Sequence, residues 1–141
     1  MLNMTVETTR IIHDTNVITL DSLNLRKCDF IKVDIEGMEE EMLKGARKTI
    51  SSCRPILFVE NNIIENSESL LTFIIDFEYD CWWHFASYFN KDNFYKNTVN
   101  IFSEVKRPEI NVICFPKELN IELDLKKITL ATESWTNAYH L

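Results

Sequence analysis

From Phe30 to Ile35 the chain alternates with a period of two. Ile31, Val33 and Ile35 fall on one face, and Phe30, Lys32 and Asp34 on the other. This predicts a short strand with Asp34 and Glu36 at its carboxyl end and Gly37 at a sharp turn. From Met38 the period lengthens. Met38, Met42, Leu43, Ala46 and Ile50 predict one amphipathic helix, acidic at its start (Glu39 to Glu41) and basic toward its end (Lys44, Arg47, Lys48). Pro55 opens a second strand, Ile56 to Val59, whose unbroken apolar run suits burial on both faces and which ends in Glu60-Asn61-Asn62. Ser67-Glu68-Ser69 predicts another helix start, with Leu70, Phe73, Ile74 and Phe77 as its apolar stripe. Tyr79 to Ala86 reads as a strand, Ser87 to Lys106 as a long polar loop with aromatics, and Asn111 to Phe115 as a last strand stopped by Pro116. Upstream, Val17 to Leu20 reads as extended, and Asp21 as the cap of a short turn over Ser22 to Leu25. The tail alternates around Ile121, Leu123 and Leu125 and then turns polar. Strands alternating with helices make an α/β protein, and in open α/β sheets ligands bind outside the carboxyl ends of the strands.

Composition narrows this picture. The chain has 141 residues, enough for one domain with a modest core, and its 45% hydrophobic content excludes a disordered polymer. No apolar run reaches a membrane span, and the first residues lack the pattern of a signal peptide, so a cytoplasmic protein without membrane contact is expected. A net charge of −7 opposes nucleic acid as a partner. Cys28, Cys53, Cys81 and Cys114 are scattered without a C-x-x-C pair, which suits reduced thiols and gives no metal site.

The stretch Asp29-Phe30-Ile31-Lys32-Val33-Asp34-Ile35-Glu36-Gly37-Met38-Glu39, followed by Leu43-Lys44-Gly45-Ala46, Arg54-Pro55-Ile56-Leu57 and Glu60, resembles the signature of FkbM-type methyltransferases. Thr19-Leu20-Asp21-Ser22-Leu23 is similar to the segment that precedes that signature. Asp92-Asn93-Phe94, Asn97 and Asn111 to Pro116 resemble its downstream pattern, so the likeness spans about residues 17 to 117. The resemblance implies a Rossmann-like class I fold and S-adenosylmethionine as cofactor, with O-methylation of a small molecule or glycan. It also implies a sheet order of three-two-one-four-five-seven-six, the seventh strand antiparallel. Residues 30 to 35, 56 to 60, about 80 to 86 and about 111 to 115 would be strands four to seven. The expected fold is thus a partial class I methyltransferase sheet, its second half, with helices on both faces.

Such an enzyme also needs a glycine-rich turn after its first strand and an acid ending its second. The two glycines, Gly37 and Gly45, both belong to the central signature. The sequence therefore reads as a single partial domain over residues 1–141, a C-terminal fragment lacking the cofactor-binding half. The alternative is a non-catalytic interaction module or a decayed half-domain. Phe30 to Ile35 would then be an open edge, and self-association or an N-terminal half supplied in trans is expected.

Methyl transfer to a hydroxyl needs in-line positioning and a base. The catalytic candidates are Asp34, Glu36 and Glu60, carboxylates at two neighbouring strand ends. Asp34 ranks first, because the resemblance places it against cofactor and acceptor, with Gly37 as a second cofactor contact. For Glu36, capping the following helix is an equal reading. Lys32 reads as an ordinary edge lysine before a carboxylate partner. His84 reads first as a packed, hydrogen-bonded histidine and second as a substrate contact. Asn93 and Phe94, in an aromatic and amide-rich loop, suit a polar acceptor or the underside of a folded loop equally.

Overall fold

The computed structural model describes residues 16–139. Its strands are β1 (Phe30–Val33), β2 (Ile56–Glu60), β3 (Tyr79–Ala86), β4 (Glu109–Pro116) and β5 (Lys127–Ile128). The helices are α1 (Glu39–Lys44), α2 (Arg47–Cys53), α3 (Ile64–Asp76) and α4 (Trp135–Ala138). One mixed sheet runs β1-β2-β4-β3-β5. β1 and β2 are parallel, and β4 lies antiparallel between β2 and β3. Taken as strands four, five, seven and six, β1, β2, β4 and β3 stand in the order and directions expected, and the sheet is compatible with a methyltransferase-like α/β fold.

The helices do not cover both faces among the described residues. Leu43, Ala46 and Ile50 of the first helical stretch and Leu70, Leu71, Phe73 and Ile74 of α3 form one core with Ile31, Val33, Leu57, Val59, Val112 and Trp83. The reason lies in connectivity. β1 to β2 and β2 to β3 are both crossovers between strands of like direction, and both step the same way across the sheet. A right-handed crossover then puts each helix on the same side. On the opposite face Ile56, Phe58, Ile113 and Phe115 are only half-buried, and Phe30 is exposed. The apolar run of β2 was expected to be buried on both faces; only Leu57 and Val59 are fully covered.

Other elements differ locally from their expectation. β1 stops at Val33, because the chain turns at Glu36 and Gly37, which both have positive φ (54° and 95°). Ile35 is therefore exposed instead of joining Ile31 and Val33 in the core. The single helix expected after Met38 is broken at Gly45 and Ala46 into α1 and α2. The break follows from Asp21. Its carboxylate accepts from the amides of Lys48 and Thr49, each at 2.9 Å, and from the Thr49 hydroxyl. Asp21 thus caps α2 from far along the sequence, and its own 3-10 turn, Leu20–Leu23, has no side-chain cap. α3 begins at Ile64, three residues ahead of Ser67. The tail is part of the fold: Ile128 pairs opposite Cys81, and Trp135 is buried in the core.

Candidate functional site

β1 delivers Asp34-Ile35-Glu36-Gly37 at its carboxyl end, and the parallel strand β2 delivers Glu60 beside it. The turn is held by Glu39, a residue not singled out from the sequence. Its carboxylate is buried and accepts from the amides of Ile35 (3.2 Å) and Gly37 (3.0 Å). No side chain caps α1, so the capping role weighed for Glu36 is not filled; Glu39 instead holds the amides of the turn that precedes the helix. The signal was present as a glutamate two residues after a glycine turn, hidden inside a run of three. A Cβ on Gly37 would stand 2.8 Å from the Ile63 side chain, so both its φ and its neighbour require glycine.

Asp34 accepts a hydrogen bond from Lys32, so the lysine does take the carboxylate partner that had ranked second. Among the described residues no cation pairs with Glu60. It is 6% exposed, accepts from Asn62 Nδ2 at 2.6 Å through Oε1, and leaves Oε2 buried with no partner among the described residues. Burial first, and then the negative charges of Asp34, Glu36, Glu39 and Glu109, push its carboxyl up to about 7. The structure therefore gathers Asp34, Glu36, Glu39 and Glu109 close enough to Glu60 for their charges to act on it, an acidic cluster at the strand ends.

The register extends this polar cluster across the sheet. Glu60 stands opposite Asn111, and Asn111 opposite His84, so the three side chains share the face that no helix covers. Asn111 is 3% exposed; in the sequence it reads as the start of the last strand and of the downstream likeness, not as a site residue. His84 packs edge-on against Phe58, with ring centroids 5.2 Å apart. It is packed as expected but not hydrogen-bonded at Nδ1, which is buried without a partner. Asn93 and Phe94 lie elsewhere, in the 87–108 connection. Asn93 uses its amide inside the loop, donating to Asn90 O and Asn97 O and accepting from Asn97 N. Phe94 projects into solvent and, among the described residues, has Tyr95 as its aromatic neighbour.

S-adenosylmethionine carries a sulfonium and an ammonium group beside a neutral nucleoside. The acidic cluster at the strand ends suits the net positive end. The nucleoside has no glycine cradle among the described residues, because the Gly37 amide already serves Glu39 and Gly45 lies in the α1–α2 joint. The residues present fit one end of the cofactor and not the other.

The family model described as the Methyltransferase FkbM domain matches residues 3–81, which takes in β1, β2, the acidic turn and most of the helical layer. The downstream likeness around Asn111 to Pro116 lies outside that span. No curated protein and no solved structure matches the chain.

Proposed function

The chain belongs to the FkbM methyltransferase domain family, and we propose that its residues form the acceptor side of an S-adenosylmethionine-dependent O-methyltransferase. The strand order β1-β2-β4-β3 supports reading them as the second half of a class I sheet. The acceptor is a hydroxyl of a small molecule or glycan. The observation that carries this reading is Glu60: a buried carboxyl with a free oxygen, poised near neutral pH at a strand end. Glu60 takes the hydroxyl proton. Asp34 and Glu36 hold the local potential negative, which favours a cationic donor, and Gly37 keeps the turn tight. Asn111 and His84, on the same sheet face as Glu60, orient the acceptor. The donor, when bound, supplies an electrophilic methyl group.

A nucleoside cradle is not formed by the described residues, so the donor's other end is held by a glycine-rich segment, in cis or in trans. The missing cradle also supports a second reading, a binding module without turnover. The test is transfer of labelled methyl from S-adenosylmethionine into a hydroxyl-rich metabolite and glycan pool. It is run with the chain alone and with a polypeptide carrying the glycine-rich turn. Label is expected only in the combined sample, and Glu60→Gln should reduce it about a hundredfold. Combined samples that bind the donor yet never transfer label favour the binding module.

A further inference from the structure

We propose that the methyl acceptor is an acidic sugar, a glycan unit bearing a carboxylate or phosphate, and that Lys106 and Arg107 hold its anionic group. It rests on the acceptor-side reading of Glu60 and adds the acceptor's charge. A recess of about 250 Å³ opens between the carboxyl end of β3 and the amino end of β4. Lys106 and Arg107 line it and no aspartate or glutamate does, in a chain whose net charge is −7. Both cations are exposed, and neither forms an ion pair among the described residues. An ammonium and a guanidinium side by side suit a carboxylate or a phosphate.

The other walls suit a sugar ring. Phe85 and Tyr139, with centroids 5.0 Å apart, and Tyr88 and Phe102, 5.8 Å apart, offer aromatic surface to its carbon face. Asn100 accepts from the Phe102 amide at 2.9 Å through Oδ1, which leaves its Nδ2, like the Ser103 hydroxyl, without a partner among the described residues. Position ties the recess to the carboxylates. Ala86, the last residue of β3, pairs with Glu109, and Glu60 stands opposite Asn111, two residues further on. β4 alone separates β2 from β3, so their carboxyl ends lie about 10 Å apart. A sugar in the recess thus sets an adjoining unit near Glu60. The acidic cluster repels an anion at Glu60 itself, so the acid group and the reacting hydroxyl belong to different ends of the acceptor.

The test is calorimetric titration of the chain alone, which needs no donor. The probes are a glucuronate-bearing disaccharide, the same disaccharide with glucose in place of glucuronate, glucose 6-phosphate and inorganic phosphate. The acidic sugars should bind about tenfold more tightly than the neutral one, and added salt should shrink the margin. The stronger of the two acidic probes identifies the acid group. Lys106→Gln and Arg107→Gln should each remove most of the margin, whereas Lys44→Gln, which deletes the same charge beside Glu40, should keep it. No binding, equal binding of acidic and neutral sugars, or a margin untouched by the two recess variants overturns the proposal. So does inorganic phosphate that binds as tightly as the sugars. Acidic sugars that bind here but never take label in the combined sample overturn the methyltransferase reading and leave the binding site standing. Label that reaches neutral acceptors, with no acidic margin, does the reverse.

Discussion

The two ends of β2 are built on opposite electrostatic terms. At the amino end, Arg54 closes α2 in the left-handed region (φ 50°). Its guanidinium donates to the carbonyls of Phe77 (2.7 Å) and Glu78 (3.0 Å) and to both carboxylate oxygens of Glu118 (2.7 and 2.9 Å). It also lies over the Tyr79 ring, whose hydroxyl donates to Pro55 O. One cation thus ties α2, α3, β3 and the turn after β4 together. At the carboxyl end, Asp34, Glu36, Glu39, Glu60 and Glu109 gather with Lys32 as the cation that pairs among them, and Glu60 Oε2 is unpartnered. Satisfied charges fasten a fold, whereas an unsatisfied buried carboxyl is a cost that a structure carries at sites of chemistry. The comparison shows one strand serving stability at its start and chemistry at its finish.

The sharpest way to break this contrast is Glu60→Gln. Its carboxyl sits near 7 in the folded protein against an ordinary value of 4.5. Because the folded state holds the proton more tightly, Glu60 lowers stability as pH rises from 4.5 to 7. Glutamine removes that penalty. The variant should gain on the order of 3 kcal/mol at pH 8 and nearly nothing at pH 4, measured by urea unfolding at both. A gain in stability together with the loss of methyl transfer marks a functional carboxyl. A loss of stability at pH 8 would place Glu60 with the structural charges.

Arg54→Ala should do the reverse. It strips the bonds to Glu118, Phe77 and Glu78 and should cost about 2–3 kcal/mol. Arg54→Gly should cost about 1 kcal/mol less than alanine, because glycine accepts the left-handed backbone. Glu118 is held down to about 2, by the hydrogen bond from Arg54 first. Its contribution is present above pH 4.5 and fades as pH falls toward 2, opposite in sign to that of Glu60. Equal losses for the two variants at neutral pH would show that the left-handed backbone carries little strain there.

The smallest effect is expected at Asp21. Burial raises its carboxyl, but the amides of Lys48 and Thr49 outweigh burial and leave it below its usual value. Asp21→Ala should cost about 1 kcal/mol at pH 7 by uncapping α2. The cost should shrink as pH falls below the ordinary carboxylate range and the native carboxyl takes up a proton. Chemical denaturation at pH 7 and pH 3 measures this. Undiminished cost at pH 3 would mean that Asp21 acts through packing alone.

Local patterns were legible wherever one physical signal dominated. The period of two set Ile31 and Val33 inward, Pro55 marked the start of β2, and Tyr79 to Ala86 matched β3 residue for residue. The helix after Met38 was misread because its apolar spacing continues through Gly45 and Ala46, while the bonds that break it come from Asp21, outside any local window. The role of Glu39 was obscured for a similar reason. A glutamate in an acidic run reads as a favourable helix start, and only the folded turn shows which carboxylate reaches the amides.

The sequence by itself determined β1 to β4, the acidic turn and the family, but not β5, because the former rest on neighbours in the chain and on residue types at fixed spacing. The tertiary structure alone decided which side of the sheet is covered, since that depends on the direction of two successive crossovers. It also decided which carboxylate is perturbed. Asp34 and Glu60 are alike as strand-end acids, but Lys32 reaches Asp34, and Glu60 is buried among negative charges contributed by the turn after β1, by α1 and by β4. Desolvation and through-space charge have no sequence distance, so they appear only once the chain has folded.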